Sequence, residues 1–146
     1  MTGEKANTEI RDILSSYPFA GICRSCVPFG SGHINDTFFA TYDDGGKEEH
    51  YIVQRINTDV FKDVDALMDN IYRVTSFLAE KINKSGGDAS REAMTFIKNK
   101  GGALYTRSKN GSCWRAYRFI ENALSIDTAQ SEKDFYNAAY AFGTFQ

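Results

Sequence analysis

A glycine-containing loop between two predicted strands is the first segment whose residue types could bind a ligand. Residues 30–36 read GSGHIND. Small residues allow main-chain N–H groups to approach an anion closely, and such a loop suits the triphosphate of a nucleotide. Glycines between two strands are also typical of a plain hairpin, so the loop by itself leaves both interpretations open. His33 alone is more typical of a loop surface than of a ligand site.

Arg55 is the second candidate, because it interrupts the apolar segment YIVQRIN. Strand alternation predicts Tyr51, Val53 and Arg55 on one face of the strand and the residues between them on the other. A cation in an apolar strand needs an anionic partner or a route to solvent. The arginine therefore reaches water at a sheet edge or binds a nucleotide phosphate. In the second case Asp65 or Asp69, one turn apart on the next helix, would orient it.

The third candidate is the segment YRFIEN, residues 117–122, where an apolar strand pattern ends in polar residues. Exposed main-chain groups at the end of a strand can form hydrogen bonds with the edge of an adenine ring. A strand that simply leaves its sheet has the same pattern, so the residue types do not decide between the two.

The cysteines point to structural rather than chemical roles. Cys23 and Cys26 form a CxxC pair, but no second pair follows at the spacing of a zinc site. Cys113, the third cysteine, leaves the number odd. We therefore expect free thiols.

The first half of the chain has clear signals for the elements that would position these candidates. A short leading helix before Pro18 is predicted by apolar residues at helical spacing, namely Ile10, Ile13, Leu14 and Tyr17. Strand patterns follow on both sides of a hairpin signal, DGG, at residues 44–46. A long helix from about Asp63 to Lys84 is predicted by an N-cap residue and an apolar stripe that ends at Gly86.

Strand patterns return in the second half, at residues 93–99, 103–108 and 113–121, and a last helix begins after Ser131. The predicted fold class is α+β, an antiparallel sheet of about five strands with a long helix inserted after the third strand. The predicted division is a leading helical segment at 1–20, a sheet-based lobe at 21–127, and a terminal helix at 128–146.

Composition limits the class of protein. Hydrophobic residues make up 42% of the 146 residues and charged residues 25%, with a net charge of −2. These values predict a packed core and argue against disorder and against a nucleic-acid-binding surface. No apolar run approaches the roughly 18 to 20 residues of a membrane span, and the N-terminus lacks the apolar core of a signal peptide. We expect a cytoplasmic protein without a membrane partner.

The order of these signals resembles the N-terminal, ATP-binding lobe of the aminoglycoside phosphotransferase and choline kinase superfamily, which is related to that of protein kinases. The segments GSGHINDTF, YIVQRIN, VFKDVDALMDNI and WRAYRFIEN are similar to those of bacterial N-acetylhexosamine 1-kinases. The resemblance covers the chain from about Phe29 onward. It implies a protein-kinase-like N-terminal lobe followed by the first helix of a second lobe.

The resemblance also implies a role for each candidate. The glycine loop would cover the ATP phosphates, with contacts from Ser31, Gly32, His33, Ile34 and Asn35. Arg55 would contact the α- and β-phosphates, and Asp65 would position it. Main-chain groups would meet adenine in the segment of Phe119, Ile120 and Glu121.

The catalytic aspartate and the Mg²⁺ ligands that the resemblance implies have no matching motif up to Gln146. We therefore expect no catalytic or metal-binding residue in this chain and no phosphoryl transfer by the chain alone. The implied acceptor is the anomeric hydroxyl of an N-acetylhexosamine. An aminoglycoside, choline or homoserine acceptor stays open, as does a non-catalytic α+β module that binds a protein. The aromatic residues of the last helix predict self-association through the face that a second lobe would cover.

Overall fold

The computed structural model describes residues 3–123, 126 and 128–145. In this part of the chain the protein is α+β, with a six-stranded antiparallel sheet and four helices. The strands are β1 Ile22–Pro28, β2 Asp36–Asp44, β3 Lys47–Ile56, β4 Phe96–Ile97, β5 Thr106–Arg107 and β6 Cys113–Arg118. The helices are α1 Gly3–Ser16, α2 Val64–Lys84, α3 Ala89–Glu92 and α4 Glu132–Phe145.

The strands lie in the order β1-β2-β3-β6-β4, and β5 pairs with β6 beside β4. The tight hairpin between β2 and β3 confirms the DGG signal, because Gly45 and Gly46 both have positive φ angles, of 63° and 94°. Such a turn matches the twist of the flanking strands. The Asp43 side chain also accepts a hydrogen bond from the Gly46 N–H at 2.7 Å. This hairpin fixes the register of β2 against β3.

Helix α1 covers one face of the sheet, as its apolar spacing predicted. The buried side chains of the helix are Ile10, Ile13 and Leu14, and Tyr17 follows its end. They pack on Tyr51 and Val53 of β3 and on Trp114 and Ala116 of β6. The Tyr17 hydroxyl donates a hydrogen bond to the main-chain carbonyl of Trp114 at 2.7 Å. This buried contact connects the helix directly to the centre of the sheet.

Helix α2 covers the opposite face, but only with its first half. Its predicted N-cap is confirmed, because the Asp63 side chain accepts a hydrogen bond from the Ala66 N–H at 2.9 Å. Val64 and Met68 pack against Ile56 and Cys113, whereas farther along the same helix Val74 and Phe77 are exposed. The sheet offers little surface to the second half of α2, because the edge strand β4 has only two residues.

The last predicted helix is also confirmed, as α4. None of its described residues is buried, and its large aromatic side chains are exposed, namely Phe135, Tyr136, Tyr140, Phe142 and Phe145. Among the described residues, no helix combines the length and the apolar character that crossing a membrane requires.

Candidate functional site

A cavity of about 470 Å³ lies beneath the glycine loop, on the face of the sheet that α2 covers. Its lining combines loop residues Gly30, Ser31 and Gly32 with Phe119 and Ile120, which follow the end of β6. The remaining lining side chains are Phe29, Thr37, Ile52, Gln54, Met94, Tyr117, Arg118 and Ala123. The structure therefore brings two of the three predicted segments to one site, although they are nearly ninety residues apart in the sequence.

Aromatic rings join the glycine loop to the end of β6. The ring of Phe119 packs edge-on against Phe39, with centroids 4.9 Å apart, and against Phe29, with centroids 5.8 Å apart. Phe29 and Phe39 also contact each other, at 5.5 Å. Because edge-on and tilted aromatic pairs are favourable, this cluster holds the two walls of the cavity at a fixed separation.

Two of the main-chain groups that were predicted to meet adenine already have partners. The Phe119 N–H donates to the carbonyl of His50 at 3.1 Å, and the Glu121 carbonyl accepts from the Arg91 guanidinium at 2.7 Å. The Glu121 carboxylate lies 2.6 Å from Nδ1 of His50. Within the described ranges, no hydrogen bond is formed by the N–H or C=O of Ile120, by the C=O of Phe119 or by the N–H of Glu121, so these main-chain groups can receive a ligand.

Thr37 and Gln54 line this cavity from neighbouring strands, and Arg115 of β6 lies beside Gln54. Nε2 of Gln54 donates a hydrogen bond to Oγ1 of Thr37 at 2.8 Å. Oε1 of Gln54 accepts two hydrogen bonds from Arg115, from Nε at 2.9 Å and from Nη2 at 2.7 Å. Partial burial lowers the pKa of Arg115 by desolvating its charge. None of these three residues was among the site residues that the sequence predicted.

Arg55 lies on the other face of the sheet from this cavity. Its guanidinium forms a salt bridge with Asp36, with Nε 2.7 Å from the carboxylate, on the side where α1 packs. Asp65 is elsewhere: it accepts a hydrogen bond from the Tyr105 hydroxyl at 2.8 Å, which raises the pKa of Tyr105. The structure does not bring Arg55 and Asp65 together, and the carboxylate that holds Arg55 is Asp36.

The predicted phosphate loop divides between the two faces. Ser31 and Gly32 line the cavity described above, whereas His33 and Ile34 line a separate cavity of about 390 Å³ that includes Arg55. Asn35 lines a third cavity, of about 430 Å³, together with Gly30, Gly32 and Arg55. Its side-chain oxygen also accepts a hydrogen bond from the Asn57 N–H at 2.9 Å. Only the first part of the loop therefore faces the cavity beside the end of β6.

A larger cavity, of about 590 Å³, lies between α1 and the turn that follows β5. Its lining includes Glu9, Asp12 and Lys109 and none of the predicted site residues. Among the described residues, no group of three or more His, Cys, Asp or Glu side chains could hold a metal ion. The three cysteines are free thiols.

The sequence contains a pattern that could have indicated Gln54 and Arg115, which the predictions left out. Gln54 follows the alternation that puts it opposite Arg55, and Arg115 interrupts an apolar strand in the same way as Arg55 does. Deciding between the two arginines required knowing which sheet face α2 covers. The sequence matches no model of a known protein family.

Proposed function

We propose that this chain is the ATP-binding lobe of a small-molecule kinase that transfers the γ-phosphoryl group of ATP to a sugar hydroxyl. One observation carries the proposal: the glycine loop and the end of β6, which were predicted to bind the two ends of ATP, line the same cavity.

The two ends of the cavity differ in chemistry in the way a nucleotide requires. Near the end of β6 the lining is apolar, with Ile52, Met94, Tyr117 and Phe119, which suits a flat purine ring. The main-chain N–H and C=O of Ile120, which form no hydrogen bond within the described residues, supply the donor and the acceptor that an adenine edge needs. Toward the loop, the lining becomes polar and rich in hydrogen-bond donors.

The architecture gives further support, because the antiparallel sheet with a long helix after its third strand is what the kinase resemblance predicts. In this proposal the catalytic aspartate and the Mg²⁺ ligands belong to a second lobe outside these 146 residues. The N-acetylhexosamine acceptor rests on the sequence resemblance alone. The acceptor would be identified by assaying ADP release from the full-length product of the encoding gene. The compounds to compare are N-acetylhexosamines, aminoglycosides, choline and homoserine.

Calorimetric titration of the purified chain with ATP and adenosine tests the nucleotide site directly. We expect both to bind, ATP more tightly, and Ser31→Asp to weaken ATP at least threefold because it adds a negative charge to the loop. Ser25→Asp, on an exposed position of β1, is the matched control and should leave ATP affinity unchanged. If the folded chain binds neither compound, the proposal fails and the protein-binding module is favoured.

A further inference from the structure

Arg115 has an environment that is unusual for an arginine. Its guanidinium is partly buried, and its hydrogen bonds go to a neutral amide, Gln54, and to the sulfur of Met68 at 3.9 Å. The ring of Phe96 lies 5.8 Å from its guanidinium carbon. None of these partners, in the part of the chain that the structure describes, is a carboxylate. A partly buried charge without a counter-ion is costly unless a ligand supplies one.

Among the described residues, Arg115 and the side chains around it have hydrogen-bond donors without an acceptor. An arginine has five N–H donors, and Gln54 and Met68 account for three of them. The Gln54 amide has a second N–H beyond the one that it gives to Thr37, and the Thr37 hydroxyl, which accepts that bond, keeps its own proton. A surface with several free donors and few free acceptors fits an anion that has several oxygens.

These residues form a row across three strands. Thr37 of β2 is paired in register with Gln54 of β3, and Gln54 is paired with Arg115 of β6. The next row on the same face is apolar and consists of Phe39, Ile52 and Tyr117. Residues two positions apart on a strand are separated by roughly 7 Å. The polar row therefore lies one step from the proposed adenine site, as the phosphates of a nucleotide do.

The glycine loop lies at the polar row. The N–H of Phe29, just before the loop, donates a hydrogen bond to the Thr37 carbonyl at 2.9 Å. Gly30 and Gly32 have open space where a side chain would start, so the loop main chain is accessible to a ligand. Main-chain N–H groups and the polar row would contact the same anion from two sides.

We infer that Thr37 and Gln54, which line this cavity, form its phosphate-binding subsite together with Arg115, which binds Gln54 from the neighbouring strand and would be the cation of the subsite. The inference rests on the proposed function and names the residues that would select a phosphorylated ligand. The positive charge then comes from Arg115 of β6, which is paired with Gln54, and not from Arg55 of β3. Gln54 would position the guanidinium, while Arg115 and the Thr37 hydroxyl would contact phosphoryl oxygens.

Gln54→Glu is the sharpest test, because it keeps the size of the side chain and gives Arg115 a carboxylate partner. The new ion pair would satisfy the guanidinium and repel phosphate. We expect the ratio of adenosine to ADP dissociation constants to fall at least tenfold, with adenosine affinity within twofold of wild type. Tripolyphosphate binding should be lost. Gln130→Glu adds the same charge at an exposed position before α4 and is the matched control.

Arg115→Met and Arg115→Lys complete the test, with thermal unfolding measured for each. Met should lose the preference for ADP, and Lys should retain part of it because it keeps the charge without the planar fork. If Gln54→Glu and Arg115→Met remain folded and keep the wild-type ADP preference, the subsite is overturned while the nucleotide site stands. If the wild-type chain binds tripolyphosphate but neither adenosine nor ADP, the anion subsite stands and the proposed function fails. If it binds none of them, both are overturned.

Discussion

Gln54 and Arg55 are adjacent in β3, yet their side chains meet different partners on opposite faces of the sheet. Arg55 binds Asp36 on the face that α1 covers, whereas Gln54 binds Arg115 on the face that α2 covers. Only the second face has the cavity that joins the glycine loop to the end of β6. The phosphate contact is therefore expected at Arg115, the partner of Gln54, rather than at Arg55.

The first prediction concerns Arg55. Its ion pair with Asp36 is partly exposed, with 37% and 55% of the two side chains accessible. Such pairs contribute roughly 0 to 1 kcal/mol, so Arg55→Gln should lower the free energy of unfolding by no more than that. ADP affinity, measured by calorimetry, should stay within twofold of wild type. A tenfold loss of ADP affinity in a folded Arg55→Gln variant would restore the phosphate role that the sequence resemblance implied.

The second prediction concerns the start of α2. Asp63→Ala removes the carboxylate that caps the Ala66 N–H and should cost about 0.5 to 2 kcal/mol of stability. For a chain of this size the unfolding midpoint should fall by a few degrees. Asp59→Ala, whose carboxylate is almost fully exposed and 3.8 Å from Lys62, is the control and should leave the midpoint unchanged. Equal midpoints for both variants would show that the cap is unimportant.

The third prediction is a pH dependence. Burial raises the pKa of Tyr17 to about 12 from a usual value of 10.0. The folded state therefore keeps this proton between pH 10 and 12 while the unfolded state loses it, and stability falls as the pH rises. The loss should reach about 1.4 kcal/mol at pH 11. Urea unfolding at pH 8 and pH 11 should give a smaller drop for Tyr17→Phe, and an identical drop would contradict the assignment.

The fourth prediction concerns self-association through α4. Phe135 and Phe142 lie seven residues apart on one face of the helix, and both side chains are about two-thirds exposed, at 67% and 64%. Apolar patches of this kind promote association. We expect sedimentation velocity to show concentration-dependent dimers of the wild-type chain and a monomer for the double variant Phe135→Glu, Phe142→Glu. Asn137→Glu with Thr144→Glu adds the same charge to the opposite face and should still dimerise.

Local patterns predicted the parts of the fold that depend on nearby residues. The buried stripe from Ile10 to Tyr17, the glycine hairpin and the Asp63 cap were all read correctly, because each is decided within a few positions of the chain. The strands of the second half illustrate the limit: the patterns at 93–99 and 103–108 placed them correctly, but β4 and β5 have only two residues each. Their pairing with β6 gives a sheet of six strands rather than about five.

The two segments that line the cavity were singled out from the sequence, since a glycine loop and a polar strand end have local signatures. The choice between Gln54 and Arg55 depends on which sheet face each helix covers, and the contact with Arg115 joins residues 61 positions apart. Asp65 was assigned to Arg55 because of its place on the helix, but Tyr105, from a distant segment, is its partner. Such contacts follow from strand register and helix packing, which no single segment encodes.

The last prediction separates the adenine end of the cavity from the phosphate end. Ile120→Pro removes a main-chain N–H that forms no hydrogen bond within the described residues, so folding should lose little while a ligand loses a donor. One hydrogen bond contributes roughly 0.5 to 1.5 kcal/mol, which predicts a loss of about threefold to tenfold in adenosine affinity. Tripolyphosphate, which has no adenine, should bind the variant as it binds wild type. Gln54→Glu should give the opposite pattern, with adenosine retained and tripolyphosphate lost.

Ile126→Pro is the control for this substitution, because Ile126 is exposed and lies outside the residues that line the cavity. Calorimetry with adenosine, ADP and tripolyphosphate should be run on all three variants beside thermal unfolding. If Ile120→Pro weakens binding of the adenine part and Gln54→Glu weakens binding of the phosphate part, one nucleotide lies across the two rows of the sheet. If Ile120→Pro instead weakens tripolyphosphate as much as adenosine while its unfolding midpoint is unchanged, the two ends of the cavity are not separate, and the assignment of adenine to the end of β6 is wrong.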